Sequence, residues 1–448
     1  MVDSNSEIAI KDLKHIWHPC TQMKDHESLP LIPIKKAHGV YLYDFNNQRY
    51  IDAISSWWVN IFGHTNSYIS NRVKEQLDTL EHVLLAGFTH KPAVELANRL
   101  VSITPKGLDK VFFADNGSSA IEIALKMSFH YHKNLGQNRP LFLSLTNSYH
   151  GETIGALSVG DVELYKDTYR PLLISSIQTP VPKDQSQESA KEALEELKKI
   201  LEKRGDEISA FIIEPLVQGA GYMNMYHPIY ITNAKKICNQ YGIHLIADEI
   251  MTGFGRTGTM FGCQQADITP DFMTLSKGLT GGYLPLAVVM TNSEIYSAFY
   301  CDYNEHKAFL HSHSYTGNPL ACSASLATLD LFEKSDVIEE NRKKSIYIWD
   351  KLKEFKKLPN VKEVRQTGMI SAIELKGYRA EERIGLKVYQ YGLDNGVLLR
   401  PLGHVIYFMP PYIITYQQID KMIDTAYKAI LQLENGVIDK NANLEKFF

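Results

Sequence analysis

The chain has 448 residues, 44% hydrophobic and 22% charged, and its 47 basic against 51 acidic residues leave a net charge of −4. That suits a globular protein of two or three domains, or one large domain with a smaller satellite. No block of five or six like charges argues for nucleic acid or an anionic membrane as partner. The five cysteines, Cys20, Cys238, Cys263, Cys301 and Cys322, are odd in number and form no CxxC pair. They point away from a disulfide framework or a cysteine metal site and toward a reducing compartment; no metal is expected. The N-terminus shows no basic flank followed by an apolar run, and stretches such as "YLPLAVVM" (283–290) are too short to cross a bilayer. The cytoplasm is the expected location.

Residues 1–60 are rich in aromatics and turns and are expected to form an N-terminal segment packed against a small domain or a partner. From 61 to 329 strand and helix patterns alternate. "KVFFA" (110–114) predicts a strand. "SAIEIALKMSFHYHKN" (119–134) predicts a helix with Ile121, Ala124, Leu125 and Phe129 on one face. "PLFLSL" (140–145) is a strand. "SAKEALEELKKILEKR" (189–204) is an amphipathic helix whose stripe is Ala190, Ala193, Leu194, Leu197 and Leu201. "SAFIIEP", "IHLIADE" and "FMTLSK" are further strands, and "IYITNAKKICNQYG" is a helix closed by glycine. Strands that are apolar throughout and alternate with helices predict an α/β fold around a mainly parallel sheet covered on both faces. Residues 330–448 are more charged and read as a smaller α+β domain.

Ligands of open α/β sheets sit beyond the carboxyl ends of the strands, so polar residues that end apolar strands carry the information. "FFADNGSSA" places Gly117 and Ser118 at the start of a helix, where they could be an ordinary cap or an anion site. "LTNSYHGET" places Tyr149, a core aromatic or a ring face. "HLIADEI" places Asp248, a structural acid or a partner for a cationic ring nitrogen. "FMTLSKG" places Lys277 before Gly278, Gly281 and Gly282, where it could pair with a carboxylate or present a reactive amine. Taken singly, none decides. Together they offer an amine for an aldehyde, a carboxylate for a pyridine nitrogen, an aromatic face and a phosphate-holding helix end. Pyridoxal 5′-phosphate asks for that set.

These blocks, with "HIWHPCTQMK", "SSWWVNIFGH", "LIADEIMTGFGRTG", "LSKGLTGGYLPLA", "YTGNPLAC" and "LLRPLGHVIYFMPPYII", resemble the class III aminotransferases of the fold-type I pyridoxal-phosphate family over nearly the whole chain. The paired tryptophans and the "RPLG" block are closest to the branch that converts 8-amino-7-oxononanoate to 7,8-diaminononanoate with S-adenosylmethionine as amino donor. The resemblance implies a seven-stranded sheet in a large domain, a small domain built from both chain ends, and a homodimer with shared active sites. It implies that Lys277 is the catalytic lysine that binds the cofactor. Asp248 would pair with the pyridine nitrogen, Gly117 and Ser118 would hold the phosphate, and Tyr149 would lie over the ring. Ser314, where the family usually has threonine, would reach the phosphate from the other subunit. Trp57 and Trp58 would flank the substrate chain, His313 would line the same site, and Arg400 would bind the substrate carboxylate.

One position departs from the family. Where its best-known members have a tyrosine that stacks on the donor's adenine, this chain has Cys20 in "HPCT". The donor is therefore S-adenosylmethionine or, alternatively, lysine or another amino acid. Other class III acceptors (ornithine, acetylornithine, 4-aminobutyrate) and a non-catalytic metabolite-binding module are the remaining alternatives. Neither GxGxxG after a first strand nor GxxxxGK[ST] is present.

Overall fold

The computed structural model describes residues 4–29 and 31–434. Residues 1–3 and 435–448, the outer ends of the two terminal segments expected from the sequence, lie outside the described residues. The chain divides into two compact units. The larger is Ser67–Arg342 with Gln366–Ile370; the smaller is the described part of Met1–Asn66, Lys343–Arg365 and Ser371–Phe448. The larger unit thus runs past residue 329, because the helix Pro319–Lys334 buries Ala321, Cys322, Ala324 and Leu326 within it.

The larger unit is built on seven strands: β1 (Lys110–Ala114), β2 (Leu141–Leu145), β3 (Ser176–Thr179), β4 (Ile208–Ile213), β5 (His244–Asp248), β6 (Phe272–Leu275) and β7 (Ala287–Thr291). Their order across the sheet is β1-β7-β6-β5-β4-β2-β3. Strand β7 runs antiparallel to both its neighbours, and the pairs from β6 to β3 are parallel. Strands β2, β4, β5, β6 and β7 are buried along their whole length, as the covered sheet requires.

Helix α1 (Gly117–Asn134) lays Ile121, Ala124 and Leu125 into the core, but Phe129 is 41% exposed. At 100° per residue Phe129 lies eight residues on from Ile121, at the edge of the stripe rather than its centre. Helix α2 (Gln187–Arg204) buries all five residues of its expected stripe. Helix α3 (Ile229–Tyr241) ends at Gly242 in the left-handed conformation. Among the described residues no helix is long and apolar enough to cross a membrane.

The smaller unit contains a sheet of Ile34–His38, Tyr41–Asp44, Arg49–Asp52 and Val397–Leu398, in that order. Its last pair is parallel, with Val397 opposite Ile51 and Leu398 opposite Asp52. Beyond Asp52 the chain enters a turn, Ser55–Trp58, in which all four residues have positive φ: 51°, 47°, 73° and 74°. None is glycine, and each such residue costs roughly 1–2 kcal/mol over right-handed backbone.

Candidate active site

Asp248 and Lys277 come from adjacent parallel strands. Asp248 stands opposite Thr274 in the β5–β6 register, so the chain reaches Lys277 just past the carboxyl end of β6. Lys277 opens a single turn of 3₁₀ helix, Lys277–Thr280, with a φ of 46°. Left-handed backbone at a lysine is strained and persists only where its surroundings hold it. The turn closes at Gly281, φ 63°, where a Cβ would lie 2.9 Å from Thr328 Oγ1. Burial pushes the Lys277 amine below its ordinary pKa, and the charges of Asp248 and Glu214 oppose that shift.

Asp248 is held on both oxygens. Oδ2 lies 2.8 Å from His150 Nδ1, and Oδ1 accepts from Ile250 N at 3.2 Å and Thr274 Oγ1 at 3.4 Å. His150 is buried. Glu214 directly follows β4 and accepts from Tyr149 N at 3.0 Å and Gly219 N at 2.8 Å. Its burial lifts the carboxyl pKa to about 7, although the nearby His150 and these two N–H groups act the other way. So the loop bearing Tyr149 is tied to β4 through Glu214 and to β5 through the His150–Asp248 contact.

The same loop reaches helix α1. Glu152 N donates to Ser118 Oγ at 3.3 Å, and Tyr149 Oη donates to Glu152 Oε1 at 3.0 Å. Asn116 caps α1 by accepting from Ser119 N at 3.0 Å. The first N–H groups of the helix, those of Gly117 and Ser118, have no partner within its own ladder and carry the positive end of its dipole. A Cβ on Gly117 would sit 3.0 Å from Ile250 Cδ1, two residues past Asp248, so glycine permits this close approach. The Lys277 amine, a doubly held carboxylate, a half-buried aromatic and a helix N-terminus therefore belong to one unit, the last three tied together through the loop that bears Tyr149.

His313 joins this edge: its Nδ1 lies 2.8 Å from Asp115 Oδ2, just before the α1 cap. Ser314 beside it is exposed. The remaining sequence-derived residues belong to the smaller unit. Trp57 is 39% exposed, and the Arg400 guanidinium carbon lies 5.0 Å from its ring centroid. Trp58 is buried, and its Nε1 donates to Tyr407 Oη at 3.0 Å. Cys20 is exposed, with a φ of 52°. Sequence reasoning did not single out Glu214 or the contact between His150 and Asp248. The criterion that selected Asp248, an acid ending an apolar strand, applies equally to the glutamate of "FIIEP".

The class-III aminotransferase model matches residues 22–430. The chain belongs to the class-III aminotransferase family. An adenosylmethionine-8-amino-7-oxononanoate aminotransferase of Helicobacter pylori is 53% identical over 435 residues, 96% of this chain and 99% of that relative. The crystal structure of the similarly named protein of Methanocaldococcus jannaschii has a TM-score of 0.92 at 39% identity, covering 95% of this chain and 99% of that one. The omega transaminase of Pseudomonas jessenii in complex with PMP has a TM-score of 0.91 at 28% identity, covering 97% and 100%. This aminotransferase therefore shares the mainly parallel seven-stranded architecture of class-III transaminases.

Proposed function

We propose that this aminotransferase converts 8-amino-7-oxononanoate to 7,8-diaminononanoate in biotin synthesis, with pyridoxal 5′-phosphate as cofactor and S-adenosylmethionine as amino donor. The observation that carries the reading is the 53% identity, over nearly the full length of both chains, to a relative bearing that name. The donor set supports the cofactor: a helix N-terminus suits a phosphate, Asp248 suits a protonated ring nitrogen, and Lys277 suits an aldehyde. The protein is proposed to work in the cytoplasm as a homodimer.

Pyridoxal 5′-phosphate, when bound, supplies an electron sink for the pair left behind as a proton leaves the donor's α-carbon. The amides of Gly117 and Ser118 would hold the phosphate, with the hydroxyl of Ser314 contributed by the second copy. Tyr149 would cover one ring face. Asp248 would hold the proton on the pyridine nitrogen, its own orientation fixed by His150 and Ile250 N. Lys277 would hold the cofactor's aldehyde through its Nζ, and the same amine would take up the proton that leaves the donor's α-carbon. Burial equips it for this by favouring the neutral amine. The acceptor half-reaction runs the same transfers in reverse, so ping-pong kinetics are expected. The acceptor carries its ketone far from its carboxylate. Arg400 offers a fork for the carboxylate, and Trp57 an apolar wall for the methylenes. Trp58 would support that wall from its buried position, and His313 would flank the substrate.

The test is an assay of the purified yellow protein with 8-amino-7-oxononanoate and S-adenosylmethionine. Turnover of ornithine, acetylornithine or 4-aminobutyrate, with none of 8-amino-7-oxononanoate, would overturn the acceptor assignment. A specific observation keeps a second donor in view. Cys20, in the position proposed for the adenine-stacking ring, is an exposed thiol without a π-face. Lysine is the alternative donor.

A further inference from the structure

The turn Ser55–Trp58 is a run of four left-handed residues with no glycine among them. L-residues visit that region singly, so such a run persists only where ties on either side impose it. The ties are present. Asp52 is fully buried and accepts from Ser56 N at 2.9 Å and from Ser56 Oγ at 2.6 Å. Its Oδ2 also lies 2.9 Å from His64 Nε2. Ser55 Oγ donates to Met409 O at 2.7 Å, and Trp58 Nε1 donates to Tyr407 Oη. Between these anchors stands Trp57, exposed on one side and stacked on Arg400. The parallel pairing of Leu398 with Asp52 explains how the two meet: Arg400 lies two residues past one strand end, and Trp57 five past the other.

From this geometry we propose that Trp57 is a positioning residue for Arg400, and that the Asp52–Ser56–His64 latch holds the strained turn so that the indole stays against the guanidinium. The inference rests on the reading that Arg400 binds the acceptor's carboxylate. A guanidinium stacked on a fixed ring has lost rotamer freedom before the ligand arrives, and its planar fork is held in one orientation. An arginine without such a support would lose that freedom on binding. Discrimination in favour of a carboxylate therefore depends on a side chain that need not touch it.

The experiment compares the acceptor with its carboxamide, in which a neutral amide replaces the carboxylate, as substrates of the cofactor-loaded enzyme. The variants are Trp57→Leu, Trp57→Phe, Ser56→Ala, Arg400→Ala and the Trp57→Leu/Arg400→Ala double variant. Trp57→Leu is expected to raise KM for the carboxylate acceptor by roughly two- to thirty-fold, the span of a cation–π contact, with little change in kcat. KM for the carboxamide, which keeps the methylene chain that Trp57 walls but lacks the charge that Arg400 binds, should rise by a smaller factor. Trp57→Phe keeps an aromatic face and should recover part of the loss. Ser56→Ala should shift KM in the same direction as Trp57→Leu, and in the Arg400→Ala background Trp57→Leu should add no more than it does with the carboxamide. Equal losses for both acceptors, or additive losses in the double variant, would overturn the proposal by showing that Trp57 acts on the methylene chain alone. If Arg400→Ala leaves the preference for carboxylate intact, the reading of Arg400 itself fails. If Arg400→Ala abolishes that preference while Trp57→Leu does not alter it, only the positioning role fails.

Discussion

The Asp248 carboxylate meets His150 Nδ1 at 2.8 Å on one oxygen, and the Ile250 amide and Thr274 hydroxyl on the other. An acid held on both oxygens cannot rotate to suit a ligand. It presents one orientation, set by two strands and a loop, and its charge is what a protonated ring nitrogen requires. Asp248→Asn preserves shape and removes that charge. The expected result is at least ~10²-fold slower turnover, about 2.7 kcal/mol of transition-state stabilisation, with unchanged circular dichroism. Turnover near that of the wild type would contradict the role assigned to Asp248.

Lys277 is the one lysine expected to bond to the cofactor. Borohydride treatment of the holoenzyme followed by peptide mapping should place the label on Lys277, and a label on any other lysine refutes the assignment. Lys277→Ala should keep weak cofactor binding and lose turnover. The amine's environment makes a further expectation about the cofactor-free protein. Burial disfavours the charged form, so acylation of Lys277 should rise at a lower pH than that of exposed lysines. Competitive labelling across pH measures this directly.

Glu214 makes the stability of the larger unit depend on pH. Burial raises its folded-state pKa from 4.5 to about 7, so within that window the folded chain binds more protons at this site than the unfolded chain. The stabilisation is fully present below the unfolded value and is lost as pH rises through about 7. Glu214→Gln should lower stability most at acid pH, because an amide cannot accept from both Tyr149 N and Gly219 N through two oxygens. The gap between wild type and variant should narrow as pH rises from 4.5 to 7. Melting curves of both proteins across that range test it, and a constant gap would show that Glu214 does not titrate there.

The site was legible in the sequence where chemistry and position coincide. Asp248 and Lys277 end apolar strands, and a strand that is apolar throughout announces a covered sheet whatever its neighbours. Strand direction leaves no such trace: "LAVVM" is as apolar as its neighbours, yet β7 runs antiparallel between β6 and β1. Strand β3, "SIQT", is too polar to stand out and is placed by pairing with β2. The left-handed turn at Ser55–Trp58 was hidden because no glycine marks it; buried hydrogen bonds to residues as distant as Met409 impose it. The tryptophan pair reads as one feature in the sequence, whereas the fold buries Trp58 and exposes Trp57. The contact between His150 and Asp248 joins residues 98 positions apart, which local pattern cannot reveal.

The amino donor is the open chemical question, and Cys20 focuses it. An adenine stacked on an aromatic ring gains ~1–3 kcal/mol, so a thiol in its place would weaken S-adenosylmethionine binding roughly five- to 150-fold unless another ring substitutes. Tyr41 and Tyr43, part of the same smaller unit and 6.3 Å apart between ring centroids, are candidates for that substitution. The decisive measurement is the first half-reaction alone, followed by loss of the cofactor's long-wavelength absorbance as each donor is added. S-adenosylmethionine is expected to bleach the band and lysine is not. The reverse outcome would overturn the donor assignment and leave the acceptor assignment standing, because the acceptor takes no part in that step. Cys20→Tyr sharpens the result. If the adenine lies against this position, the variant should bleach at a lower S-adenosylmethionine concentration, by up to the same factor, with no change in its response to lysine. A variant that leaves S-adenosylmethionine unaffected would place the adenine elsewhere and make Cys20 irrelevant to donor choice.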